Sequence, residues 1–86
     1  MANKRDLKKN INSLVFDVID ECIYIQEIQP DKFEACEKLI DHAVNYYNDA
    51  LSKVNSAKVK SEFRSIAAEM DDHAEKFIEG LNGLNS

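Results

Sequence analysis

The stretch EMDDHAEKF, Glu69 to Phe77, sets five charged side chains and a histidine within nine residues. Imidazole among carboxylates is the raw material of a proton relay or a metal site, so spacing decides whether chemistry follows. Carboxylate-bridged dimetal centres in helical bundles use Glu-x-x-His, which puts both ligands on one face. Three residues before His73 stands Met70, and three before the second histidine, His42, stands Leu39. Glu69 precedes His73 by four, one helical turn, which brings a carboxylate beside the ring without making the dimetal pattern. Asp71, Asp72, Glu75, Lys76 and Glu79 fall mostly outside the apolar arc and read as a solvated face, with Asp72 and Lys76 paired at i and i+4. His73 sits at the edge of that arc, where a histidine is ordinarily structural rather than catalytic.

Two cysteines, Cys22 and Cys36, supply soft ligands. If the chain doubles back near Gln29 and again near Ser56, Cys22 and Cys36 face one another, and His73 comes level with Leu39, within a turn of Cys36. Cys22, Cys36 and His73 are then a conceivable metal or thiol site. Structural zinc wants four ligands, usually in Cys-x-x-Cys pairs, and neither pair is present. Buried free thiols are the simpler expectation, since packed helix axes about 8–10 Å apart hold cysteines too far apart for an easy disulfide.

His42, in LIDHAVNYY, falls on the polar side of its helix. A solvent-facing imidazole on a bundle raises phosphotransfer, which needs a basic neighbour to steady the phosphoryl group. Ala43, Val44, Asn45 and Tyr46 follow instead. No Gly-rich phosphate loop, nucleophile elbow or Ser/His/Asp constellation is present. The chain therefore reads as a non-enzyme, with no catalytic residue, no cofactor and no metal assigned.

Three helices must position these groups. With two glycines and one proline in 86 residues, and many Lys, Glu, Leu, Ile and Ala, the chain is expected to be all-α. The first helix runs over about 4–28, with a seam of Leu7, Ile11, Leu14, Val18, Cys22 and Ile25. Pro30 suits the first turn of the second, where Asp31 and Glu34 form a capping box or at least favourable first-turn charge. That helix runs over about 30–54 on Cys36, Ile40, Ala43, Tyr47, Ala50 and Val54, flanked by Phe33, Leu39, Val44, Tyr46 and Leu51. Asn55 suits a left-handed C-cap and Ser56 the next N-cap. The third helix runs over about 57–82 on Val59, Phe63, Ile66, Met70, Ala74, Phe77 and Leu81, with Gly83 as the residue after its end and Leu84 making the apolar contact of a Schellman motif. Short connections make an up-down-up antiparallel three-helix bundle, a single domain over 1–86. No apolar run is long enough to span a membrane, the acids after the basic start rule out a signal peptide, and the chain reads as cytoplasmic with reduced cysteines.

Charge sorts by end in such a bundle. Residues 1–14 and 45–64 hold eight cations against three acids, net +5, while 15–44 and 65–86 hold three against thirteen, net −10, giving the overall −5. Helix dipoles do not explain this, because Lys4, Arg5, Lys8 and Lys9 sit at a helix start and Glu75 and Glu79 near a helix end. The basic end, with Lys58, Lys60 and Arg64 added, offers an alternative role in nucleic-acid or phosphate binding. An acidic domain without aromatics interleaved among its cations weighs against nucleic acid.

Phe16, Ile19 and Ile23 form a second apolar stripe on the first helix, widening its apolar arc beyond what two neighbours need. That stripe is either a broad core contact, since a helix touching two neighbours uses a wide arc, or the candidate interface with a partner. The expected function is a non-catalytic protein–protein interaction or adaptor module whose partner is a second copy in a homodimer or another helical protein.

The opening NKRDLKKNIN, followed by an acidic, cysteine-containing helix, resembles a family of short all-helical bacterial proteins over the first third of the chain. That resemblance implies a helical fold and no activity, and it assigns no site residue.

Overall fold

The computed structural model describes residues 3–85, and all of the regular structure there is helical. α1 spans Lys4–Ile28, a 3₁₀ turn spans Pro30–Lys32, α2 spans Phe33–Ser56 and α3 spans Lys60–Asn85. The molecule measures 45 × 18 × 15 Å, the proportions of side-by-side helices. α1 packs most extensively on α2, less on α3, and the α2–α3 contact is the smallest of the three.

α1 starts where Asn3, in extended conformation, accepts from the Asp6 amide at 2.9 Å, which satisfies one of the orphan donors of a helix start. At its other end the Gln29 amide donates to the Ile25 carbonyl, and Pro30 opens a 3₁₀ turn that runs straight into α2. Proline belongs there because its missing N–H would have no helical partner. No side-chain cap bond forms at Gln29 or Lys32, so Asp31 and Glu34 contribute charge in a first turn and not a capping box.

The end of α2 departs from the sequence expectation. Asn55 takes no left-handed cap, since no described residue has positive φ, and α2 continues through Ser56. The Ser56 hydroxyl donates back to the Ser52 carbonyl at 3.0 Å and caps nothing downstream. Ala57 ends the helix in extended conformation (φ −70°, ψ 139°), its amide donating to the Lys53 carbonyl while its methyl is fully buried. The chain thus turns by burying a small side chain, and α3 begins at Lys60 instead of Ala57, with the Val59 carbonyl accepting from Glu62 and Phe63.

Gly83 likewise does not end α3. The helix continues through it in right-handed conformation to Asn85, and Leu84 is buried against the core. One further helical turn fastens Leu84 to the core, which outweighs the local preference of glycine for a helix end.

The core is a single cluster: Leu7, Ile11, Val15, Val18, Cys22 and Ile25 from α1, Cys36, Ala43, Tyr46, Ala50 and Val54 from α2, Ile66, Phe77 and Leu84 from α3, with Ala57. Val15 and Tyr46 take the deep positions expected of Leu14 and Tyr47, which are only partly buried. Val59 is exposed because it lies in the turn and not on a helix.

Candidate functional site

A gathering of chemically able side chains lies between α2 and α3. His42 and Tyr46 stand four apart on α2, as do His73 and Phe77 on α3, so each pair shares one helix face. Tyr46 stacks on His73 with ring centroids 4.2 Å apart and planes at 29°. His42 meets Phe77 edge-on at 4.9 Å and His73 at 5.7 Å. The His73 Nδ1 and the Tyr46 hydroxyl are both buried without a hydrogen-bond partner.

Burial sets the protonation of this cluster. It lowers the His73 pKa below its ordinary 6.5, reinforced by the nearby His42 and then Lys76, with Glu69 acting the other way. It pushes the Tyr46 phenol up to about 12, Glu69 adding to the effect. At neutral pH His73 is therefore an uncharged ring and Tyr46 an un-ionised phenol. The cluster packs as an aromatic rim on the core between α2 and α3.

Glu69, placed by sequence beside His73, is taken up elsewhere. Its carboxylate accepts from the Lys53 ammonium at 2.9 Å, and Asp49 accepts from the same nitrogen at 3.1 Å. These two carboxylates hold the Lys53 pKa above its ordinary value. All three side chains are well exposed, so the triad stabilises little.

Cys22 and Cys36 are both fully buried and free, on facing helices. Burial, then the neighbouring Cys36, raises the Cys22 thiol to about 11, and burial raises Cys36 as well. His73 does not join them; it is committed to Tyr46, His42 and Phe77. Among the described residues no group of three or more His, Cys, Asp or Glu is arranged to hold a metal ion. The conceivable Cys22, Cys36 and His73 cluster is thus not assembled. The reason is register: the Ala57–Val59 link, with Ala57 extended, sets His73 about one turn past Leu39, at the level of His42 and Tyr46. Leu39 instead meets Gly80, where an added Cβ would lie 3.2 Å from its Cδ1. His42, expected on the polar side, is exposed yet leans on Phe77.

The stripe on α1 is divided. Phe16 and Ile23 are 55% and 44% exposed, while Ile19 is partly buried against the core. The Phe16 ring lies 6.3 Å from that of Tyr47 on α2. Val44, 41% exposed, and Ile40 precede Tyr47 by three and seven and so share its face. The apolar surface around Phe16 therefore spans two helices, an extension that the i, i+3/i+4 spacing of Ile40, Val44 and Tyr47 could have disclosed.

Of the basic residues, Lys4, Arg5, Lys9, Lys58, Lys60 and Arg64 are exposed and Lys8 is half-buried. The Lys4 ammonium donates to the Asn55 carbonyl at 3.3 Å, which brings the start of α1 beside the end of α2. No described helix is long and apolar enough to cross a membrane. No protein-family model, no curated protein and no solved structure matches this chain, so function rests on its own residues.

Proposed function

We propose that the chain is a small, non-catalytic cytoplasmic interaction or adaptor module, built as an up-down-up antiparallel three-helix bundle, which self-associates through α1. Antiparallel order is supported by Lys4 reaching Asn55 at one end of the α1–α2 pair and Gln26 donating to Glu37 at the other. Lys53 with Glu69, and Leu39 beside Gly80, support the same for α2 and α3. Buried thiols agree with a reducing compartment.

The observation that carries the reading is the exposure of Phe16 and Ile23 on one face of α1, next to exposed Val44. Fully burying such a side chain is worth about 1.5–3 kcal/mol, and here roughly half of each remains to be gained. Contiguous apolar surface of this kind marks an association site. A second copy is favoured as occupant because antiparallel pairing sets the basic end of one molecule beside the acidic end of the other. Sedimentation equilibrium tests this. The wild type is expected to dimerise, and Phe16→Glu and Ile23→Glu to give folded monomers. A wild type that stays monomeric at millimolar concentration removes the proposal.

A further inference from the structure

A separate groove lies on the opposite flank of α1, against α3. It encloses about 440 Å³, and Leu14, Val18, Phe77 and Leu81 are among its lining residues. Ile78, 57% exposed, stands on its α3 side, and Asp17 and Glu21 stand one turn apart on its α1 side. Beyond Glu21 at the same helical spacing come Tyr24 and Ile28, 56% and 53% exposed, which add apolar surface on α1 past the end of the groove. Among the described residues no cation lines the groove, and α1 carries neither Lys nor Arg from Asn10 to Ile28. On α3, Asp71 and Glu75 precede Ile78 by seven and three and add negative charge along the same side.

We infer that this α1–α3 groove is a docking site for a basic amphipathic helix of a partner protein. Two neighbouring helices with an apolar channel between them offer the position of a further helix, which inserts side chains at i, i+3 or i+4 and i+7. The Asp17 and Glu21 carboxylates select lysines or arginines flanking that apolar stripe, and they repel anionic lipid surfaces and nucleic acid. A second copy of the chain does not fit. Its basic helical segments, around Lys4–Lys9 and Lys60–Arg64, turn Leu7, Ile11 and Ile66 into their own core and have no apolar stripe left to offer. The site is thus distinct from the self-association face around Phe16.

The test uses the full chain and a fluorescein-labelled 18-residue peptide of leucines and lysines at amphipathic helical spacing, read by anisotropy. A leucine–glutamate peptide of the same pattern is the control. The Leu/Lys peptide is expected to bind and the Leu/Glu peptide not. Ile78→Glu and Glu21→Lys, both at exposed positions, should each weaken binding at least ten-fold, while Phe16→Glu leaves it unchanged. Because Phe16→Glu also removes the proposed dimer, each reading can fail without the other. Absence of Leu/Lys binding, or equal binding by Ile78→Glu and Glu21→Lys, overturns the inference, the latter by reducing it to general attraction to an acidic surface. Loss on Phe16→Glu overturns it by placing the peptide on the other face.

Discussion

Tyr46 covers one face of the His73 imidazole at a centroid distance of 4.2 Å, and neither ring's buried polar atom has a protein partner. The pair joins α2 to α3 at the least extensive of the three helix contacts. Protonating His73 therefore places a charge where the two helices are most easily parted.

That placement fixes the sign of the acid response. Burial depresses the His73 pKa in the folded chain, with His42, Lys76 and Lys53 opposing its charge and Glu69 favouring it. The unfolded chain takes up the proton first, near the ordinary 6.5, so this contribution to stability is intact above that pH and is lost as pH falls below it. One proton gives a slope of at most about 1.4 kcal/mol per pH unit. Urea titrations between pH 7 and 5 should show this loss, and His73→Leu should flatten it. An unchanged slope in the variant would assign the loss to other groups.

The thiols predict the alkaline response. Cys22 at about 11, Cys36 above its ordinary 9.0 and Tyr46 at about 12 all hold their protons longer folded than unfolded. Stability should accordingly be complete below about pH 9 and fall as pH rises from there towards 12. At neutral pH both thiols should react with a disulfide reagent only as fast as the chain opens, and rapidly once urea is added. Fast labelling of either without denaturant would contradict their burial.

Ile19 and Ile23 should separate fold from association. Ile19 packs against the core whereas Ile23 is 44% exposed. Ile19→Glu should cost about 1–3 kcal/mol of stability, and Ile23→Glu about 0.5 kcal/mol or less. Thermal melts under monomeric conditions measure the difference. Equal costs would mean that the two residues share one environment.

The two glycines of α3 make a matched pair. An added methyl at Gly83 meets open space, while at Gly80 it lies 3.2 Å from the tip of Leu39. Both positions are helical, where alanine is favoured by about 1 kcal/mol. Gly83→Ala should stabilise by up to that amount, less any fraying of the last turn. Gly80→Ala should gain less, because Leu39 must shift. The order of the two melting temperatures is the check.

The helices were legible because their apolar spacing is regular: α1 occupies the expected Lys4–Ile28. Their junctions were less so. Asn55, Ser56 and Gly83 carry local end signals, and in each case a tertiary gain overrides them, through burial of Ala57 or of Leu84. That misplacement hid the aromatic–histidine cluster, since a change of about one turn in α3 exchanges Leu39 for His42 and Tyr46 opposite His73. Buried Tyr46 in place of Tyr47 has a similar origin, because adjacent residues on a helix point about 100° apart and only packing chooses between them. The stripe of Phe16, Ile19 and Ile23 admitted either core contact or exposure, and packing divides it, with Ile19 against the core and Phe16 and Ile23 exposed.

The connection through Gln29 and the Pro30–Lys32 turn also orders events in time. α1 and α2 are joined by little more than one 3₁₀ turn and share the most extensive packing in the molecule. Closing either short loop costs little chain entropy, so the more extensive α1–α2 packing is what predicts that this hairpin forms first and α3 docks afterwards. During synthesis the hairpin clears the ribosome first, with Tyr46 awaiting Phe77 from α3. Amide exchange in the finished protein should retrace that order, with the amides of α3 opening ahead of those at the α1–α2 seam.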